Sequence, residues 1–197
     1  MDEKEMYQLW KSRENIYTFL KMRKYKIAEK LFSYKEFMKH KDDDYVDILQ
    51  LLTLTFKKGM VVWARDASVG INSPEFRKIS ECNLNRLLVI SKNGSTSDAR
   101  TLLRSYKVQN IYIEIFELFE LQYNLFESSL VPRYDVLSTS QVEKLKEEYG
   151  MQTNNLPILS NSDIIAKSLG YKKGQIVKIT SYDEEKDSYS IYYRIVM

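Results

Sequence analysis

The chain has 197 residues, 44% of them hydrophobic and 13% aromatic, with a formal net charge of +3. That length holds one large domain or two small ones with modest cores, and the apolar content excludes an intrinsically disordered chain. One cysteine, Cys82, excludes an internal disulfide framework and a cysteine-rich zinc site, and a charge of +3 does not by itself mark a nucleic-acid binder. No apolar run approaches the roughly 20 residues needed to span a bilayer. The opening Met1-Asp2-Glu3-Lys4-Glu5 is charged and no secretory apolar segment follows. The expectation is a soluble protein of a reducing compartment, without membrane association.

Residues 6–22 are predicted helical, because Met6, Leu9, Trp10, Ile16, Tyr17 and Leu20 recur at helical spacing and form one apolar stripe. The basic residues that follow or close it (Lys21, Arg23, Lys24, Lys26, Lys30) read either as a solvated face or as a DNA contact. A second helix is predicted over 33–40, capped by Ser33. Asp42, Asp43 and Asp44 stand side by side rather than at alternating ligand spacing, so a solvated loop is expected and not a metal site. Residues 45–58 fit strand or helix equally. Met60 to Ala64 is a short β-rich run, and Pro74 to Cys82 fits a helix with proline at its first position. Leu87-Leu88-Val89-Ile90-Ser91 is continuously apolar up to its last residue, as a buried central strand is. A helix from about Ser97 through Tyr106, with Ala99, Leu102 and Leu103 inward, leads to Ile111, Ile113 and Ile115, which alternate with Tyr112 and Glu114 as a half-buried strand does. Strand, helix, strand in that order make an α/β N-terminal half.

The boundary between halves is expected near 118–126, giving domains of 1–120 and 121–197. In the second half Ser138 or Thr139 caps a helix over 140–149 that ends at Gly150, with Val142 and Leu145 inward. Leu156 to Leu159 is extended, since the residue before Pro157 is pushed out of the α region. Ser162 or Asp163 caps a short helix with Ile164, Ile165 and Leu169 on its apolar face, ended by Gly170. Lys172-Lys173-Gly174 turns into a strand from Gln175. Asp183 to Ser188 forms an exposed hairpin loop before the last strand, whose Tyr189, Ile191, Tyr193 and Ile195 lie opposite Ser190, Tyr192, Arg194 and Val196, with both faces expected to be covered. The fold class read from these elements is α/β, α+β overall, with a smaller mixed-sheet C-terminal domain.

No catalytic motif appears. His40 lies in a charged segment without a nucleophile, Cys82 is expected to be a partly buried structural cysteine, and neither glycine-rich phosphate-binding pattern is present. Neither a catalytic residue nor a cofactor is expected.

The run Leu156, Pro157, Asp163, Ala166, Gly170, Lys172, Gly174, Gln175, Val177, Lys178, Ile179 resembles, in order and spacing, the C-terminal region of the fifth subunit shared by eukaryotic nuclear RNA polymerases, and of its counterpart, the H polypeptide of archaeal RNA polymerase. Leu130-Val131-Pro132 and the ending Tyr193-Arg194 extend the resemblance, Leu9-Trp10-Lys11 with Arg13 resembles the family's opening, and Asn83 to Leu103 is similar to it at lower identity. The resemblance implies a non-catalytic subunit of a DNA-directed RNA polymerase. Its N-terminal jaw domain would stand beside downstream duplex DNA, and its C-terminal assembly domain would dock on the largest subunit, with other core subunits as further partners and no homo-oligomer. Lys92, Ser95, Thr96 and Arg100 are the implied DNA-contact candidates. Leu130, Val131, Pro132, Asp163, Gly170, Lys172, Gly174 and Arg194 are the implied docking candidates, although Gly170 and Gly174 read equally as residues of the domain's own turns. The family's N-terminal fold is distantly similar to restriction-type nucleases. Glu114 offers an acid there, but Phe116 stands where the lysine would be, and Glu114 is read as an outward strand residue.

The sequence departs from the family at Ser97, Ile158 and Ile164, where proline, a basic residue and proline are usual, and at the hairpin tip 183–188. Without the proline at Ser97 the jaw loop is expected to be less rigid. The lean toward Lys, Asn, Ile and Tyr, favoured by A/T-rich codons, points to an A/T-rich genome such as that of a protist or a large DNA virus. The expected location is the nucleus for a cellular protein, or the virion and cytoplasmic factory of the host cell for a viral one. A free-standing nucleic-acid-binding adaptor using the basic N-terminal helices is the alternative reading, and an enzyme with an unrecognised site is a third.

Overall fold

In the computed structural model, which describes residues 1–150, 155–183 and 187–197, the chain forms two compact units, Met1–Tyr123 and Asn124–Met197. The first is an α/β unit and the second a mixed-sheet α+β unit, as read from the sequence.

The first unit opens with helix α1 (Glu3–Met22), one turn earlier than its apolar stripe suggests, because the Asp2 carboxylate accepts from Glu5 N–H and caps it. Met6, Leu9, Ile16, Phe19 and Leu20 are buried, and so are the polar Ser12, Arg13 and Asn15. Ser33 caps α2 (Tyr34–Phe37) in a reciprocal capping box with Glu36, and a tighter turn follows at Met38–His40. The ambiguous stretch 45–58 holds both candidates in succession: α3 (Tyr45–Leu52), then strand β1 (Leu54–Phe56). Strands β2 (Gly59–Trp63), β3 (Arg86–Ser91) and β4 (Tyr112–Glu117) complete a sheet in the order β1-β2-β3-β4, with β1 antiparallel and the rest parallel. A turn at Pro74–Phe76 and α4 (Arg77–Glu81) link β2 to β3, and α5 (Ser97–Val108) links β3 to β4.

The continuous apolar run of β3 is explained by burial on both faces. On one face Leu87 and Val89 pack with Val62, Phe76, Ile79 and Leu84, against Leu102, Leu103 and Ile113. Toward the other lies α1, whose Ser12 hydroxyl accepts from the Trp63 indole at 2.8 Å. Three sequence expectations change here. Glu114 on β4 does not point to solvent but faces Arg23 and Arg86, and Phe116 beyond it is fully buried. Arg23 therefore leaves the basic face, with only 4% of its side chain exposed. Cys82 is exposed rather than partly buried, since it falls at the end of a five-residue helix.

Gly59 marks a close approach: a Cβ there would lie 2.1 Å from Phe56 Cε2. That ring is stacked on Tyr25 at 4.5 Å and so has little freedom to retreat. Gly59→Ala is expected to lower the unfolding free energy by roughly 1–2 kcal/mol through overpacking, read as a lower urea midpoint at unchanged slope.

The second unit holds β5 (Arg133–Val136), α6 (Thr139–Tyr149), β6 (Ile158–Leu159), α7 (Ile164–Leu169), β7 (Ile176–Asp183) and β8 (Ser188–Val196). The sheet order is β5-β7-β8-β6, with β6 parallel to β8 and the other pairs antiparallel. Its core is Leu159, Ala166, Val177, Ile179 and Val196, with Tyr134 and Tyr171 against it. Ser138 and Asp163, each one of two predicted caps, are the N-caps of α6 and α7. The buried positions of α7 are Ala166 and Ser168, not the expected Ile164, Ile165 and Leu169, which are half-buried. A small side chain lets so short a helix approach the sheet closely. Of the predicted hairpin loop, Glu184, Glu185 and Lys186 lie outside the described residues.

Candidate functional site

The β7–β8 hairpin organises the second unit's surface. Its register runs without a bulge from Ile176↔Ile195 to Asp183↔Ser188. Side chains alternate between faces, so Val177, Ile179 and Val196 point to the core, and Lys178, Thr180, Tyr182, Tyr189, Ile191 and Tyr193 share the opposite face. That face is open within this chain: Tyr182 is 49%, Ile191 49% and Tyr189 72% exposed. On the core side Tyr192 also stays 51% exposed, because the core ends short of the hairpin tip. Within the chain itself the open face of β8 therefore has no cover among the described residues. A continuous alternation of bulky groups shows which residues share a face, but not whether anything covers that face.

A groove of about 610 Å³ lies on the open face, between segment 129–133 and the hairpin. Leu130, Val131 and Pro132 form one wall, Tyr182 and Tyr189 the other, with Lys178 and Thr180 on the floor strand. Leu130 is 86% exposed. Arg133 and Asp135 pair with each other at 2.8 Å at the rim. The sequence reading included the Leu-Val-Pro wall but not the aromatic one. Strand alternation grouped Tyr189 with Ile191 and Tyr193, and the pairing of Tyr189 with Tyr182 could not be fixed before the hairpin register was known.

The docking candidates divide by place and role. Leu130, Val131 and Pro132 are at the groove. Lys172 and Arg194 are exposed near the opposite end of the hairpin, where the Arg194 guanidinium reaches Ile158 O at 3.4 Å. Asp163 is turned to its own helix, accepting from Ile165 N–H at 2.9 Å and Ala166 N–H at 3.3 Å. Gly170 and Gly174 adopt φ of 69° and 90°, conformations an L side chain resists, so both serve the unit's turns. Asp163→Ala is expected to cost about 1 kcal/mol through the lost cap while Asp163→Asn retains most of it, measured by urea unfolding of the full chain.

In the first unit the loop after β3 carries the DNA-contact candidates. Lys92 is exposed and donates to Glu5 Oε1 at 2.6 Å, a contact that holds its pKa above the ordinary lysine value. Thr96 caps α5 by accepting from Ala99 N–H, and Arg100 Nε–H reaches Ser95 Oγ at 3.4 Å. The loop is braced without the missing proline. Asn93 N–H donates to Ala67 O, Val69 N–H to Gly94 O and Thr96 N–H to Val69 O, at 2.7, 2.8 and 3.0 Å. These three backbone bonds tie the loop to the segment after β2, a tertiary constraint of a kind different from the local one that proline would supply. Lys92, Ser95, Thr96 and Arg100 thus cluster within one short segment, with Thr96 committed to the helix cap. Among the described residues no group of three or more His, Cys, Asp or Glu side chains is arranged to hold a metal ion.

Residues 123–196, the same stretch that carries the groove and every docking candidate, match the family model of the RNA polymerase Rpb5 C-terminal domain. The match spans nearly the whole of the C-terminal unit. Relatives extend the likeness over the whole chain. Subunit RPABC1 of DNA-directed RNA polymerases I, II and III of Caenorhabditis briggsae is 25% identical over 210 residues, 100% of this chain and 99% of the relative. Its counterpart in Caenorhabditis elegans is also 25% identical with the same coverage. Subunit 5A of DNA-directed RNA polymerase V of Arabidopsis thaliana is 24% identical over 96% of this chain and 88% of its own length. The resemblance to the shared fifth polymerase subunit, read first from the Leu156–Ile179 stretch, is borne out. The Rpb5 C-terminal domain match contains the Leu-Val-Pro wall and both strands of the open hairpin, while the loop at 92–100 lies outside it.

Proposed function

We propose that this chain is a non-catalytic subunit of a multisubunit DNA-directed RNA polymerase. The observation that carries the reading is the end-to-end match to subunits RPABC1, which covers 100% of this chain and 99% of the relative. In this reading the second unit docks on the largest subunit through the open hairpin face and its groove, where Leu130, Val131 and Pro132 make contact, and Lys172 and Arg194 make a separate contact near the other end of the hairpin. An apolar, aromatic face with an uncovered groove is a poor surface for a free protein and a good one for a permanent partner. The first unit forms part of the jaw around downstream duplex DNA, where Lys92, Ser95 and Arg100 meet phosphates, which position a duplex without reading its sequence. Nucleotidyl transfer belongs to the large subunits, and this chain brings no cofactor of its own. It works as one copy per complex, in the nucleus if cellular and in the viral factory if viral.

The test is to tag the chain in its native host and purify at about 0.3 M salt, which screens weak surface electrostatics. Two very large chains in near-equal amount, with template-dependent RNA synthesis, are the expected result. A folded, abundant chain recovered alone overturns the reading and favours the free-standing adaptor, which would bind duplex DNA with a steep salt dependence.

A further inference from the structure

We infer that the outer edge of β8 receives an extended segment of the largest polymerase subunit as an added β-strand. The observation is the direction of the backbone groups. Ile195 N–H donates to Pro157 O at 3.0 Å on the β6 side, while Val196 N–H donates to Gln175 O at 2.9 Å on the β7 side. With a period of two and no bulge, Tyr193, Ile191 and Tyr189 direct their N–H and C=O groups to the β6 side. Strand β6, however, pairs only with Ile195 and Val196. Beyond it, no described residue satisfies the outward backbone groups of Tyr193, Ile191 and Tyr189.

Free edges in soluble proteins are normally protected by proline, an edge lysine, a bulge or shortness. The stretch Ser188-Tyr189-Ser190-Ile191-Tyr192-Tyr193-Arg194 has no proline, lysine or bulge, its only charged residue is Arg194 at its end, and it carries exposed Tyr189, Ile191 and Tyr192. A row of alternating donors and acceptors is matched by another extended backbone and by little else. The occupant follows from continuity: Tyr189 lies both on this edge and in the groove wall, so a chain seated on the open face reaches the edge without a gap. The edge is also charged at both ends, with Arg194 exposed at one and Asp187 at the other. An incoming strand therefore carries an acidic residue beside Arg194 and apolar residues at alternate positions opposite Ile191.

This occupant rests on the polymerase reading, and the test separates the two. Ile191→Pro removes one outward N–H that the fold does not use, a substitution an edge strand tolerates. Ile191→Thr keeps the N–H. Both free chains are expected to show similar urea midpoints. In the tagged purification, Ile191→Thr retains the large subunits and Ile191→Pro loses them on the order of tenfold or more, since blocking one strand bond also displaces its neighbours. In hydrogen exchange, the amides of Ile191 and Tyr193 exchange fast in the free chain and become protected in the complex, while Tyr192 and Arg194 are protected in both. Undiminished recovery with Ile191→Pro, or a protected Ile191 amide in the free monomer, overturns the strand addition alone. A concentration-dependent dimer that protects Ile191 assigns the edge to a second copy and overturns the named occupant. A wild-type chain recovered without large subunits overturns the occupant and the polymerase reading together.

Discussion

Replacing Arg13 by methionine will lower the unfolding free energy of the chain by about 2–3 kcal/mol, although the substitution removes a buried charge. Arg13 is 2% exposed in the middle of α1. Its Nε–H donates to Leu52 O at 3.2 Å and one terminal nitrogen donates to Lys30 O at 3.0 Å, while the guanidinium lies 4.0 Å from the Phe32 ring centroid. One side chain thereby fastens the end of α3 and the stretch before α2 to α1. Burial pushes the guanidinium down to about 10, with Glu29 and Tyr17 opposing the shift, so it is still cationic at neutral pH. The folded state thus sheds its proton at lower pH than the unfolded chain. The Arg13 contribution to stability accordingly rises with pH between about 10 and its ordinary value. At pH 7 methionine relieves the desolvation cost and the one terminal nitrogen that has no partner among the described residues. It also leaves the carbonyl of buried Leu52 without its donor, at about 1–3 kcal/mol, and loses the bond to Lys30 O and the stacking on Phe32, and those losses together are the larger. Arg13→Lys will recover less than half, because an ammonium reaches one carbonyl and lacks the planar face that stacks on Phe32. The check is a urea titration of the full chain. An unchanged midpoint would mean that desolvation relief balances the two lost bonds.

Arg13 also shows where the sequence stopped being legible. Its neighbours Met6, Leu9, Ile16 and Leu20 were readable as core from their spacing, and the cap at Ser33 from local chemistry. The run 87–91 was readable as a central strand because no polar residue interrupts it before Ser91. The burial of Ser12, Arg13 and Asn15 was not readable. Their partners lie far along the chain: Trp63 for Ser12, Leu52 and Lys30 for Arg13, and the Leu121 carbonyl, 106 residues away, for Asn15. A polar residue on a helix looks solvated until its acceptor is known. The second unit has the same limit. Asp163 and Gly170 were assigned to a cap and a turn from local rules, and both stand there. The groove needed the pairing of Tyr182 with Tyr189, which is fixed by hairpin register rather than by either residue.

Glu114 carries the second large effect. Neutralising it as Glu114→Gln will destabilise the chain by about 2–3 kcal/mol, with no change expected in the fold of the second unit. Its Oε2 accepts from Arg23 at 2.7 Å, and its Oε1 accepts from Arg86 at 2.7 Å and from Arg23 at 3.1 Å. Both oxygens are spent on guanidinium groups, so the carboxylate acts as a strut between the end of α1, β3 and β4. The Arg23 side chain is 4% exposed, Arg86 19% and Glu114 21%, so the network is largely withdrawn from water. Arg86 is further held between the rings of Tyr25 and Tyr112, with centroids at 5.8 and 5.3 Å. Glutamine offers one acceptor oxygen and turns an NH2 toward donors, which leaves two positive groups facing one another with no charge between them. Breaking a buried ion pair from one side is costly for that reason. Arg23→Met removes one of the two cations, so the double variant Arg23→Met/Glu114→Gln should cost about 1–2 kcal/mol less than the sum of the singles. Salt of about 1 M should shrink that coupling only modestly, since a withdrawn pair is poorly screened. Strict additivity in the cycle would mean that Glu114 meets Arg86 alone in solution and that the end of α1 is held by apolar packing.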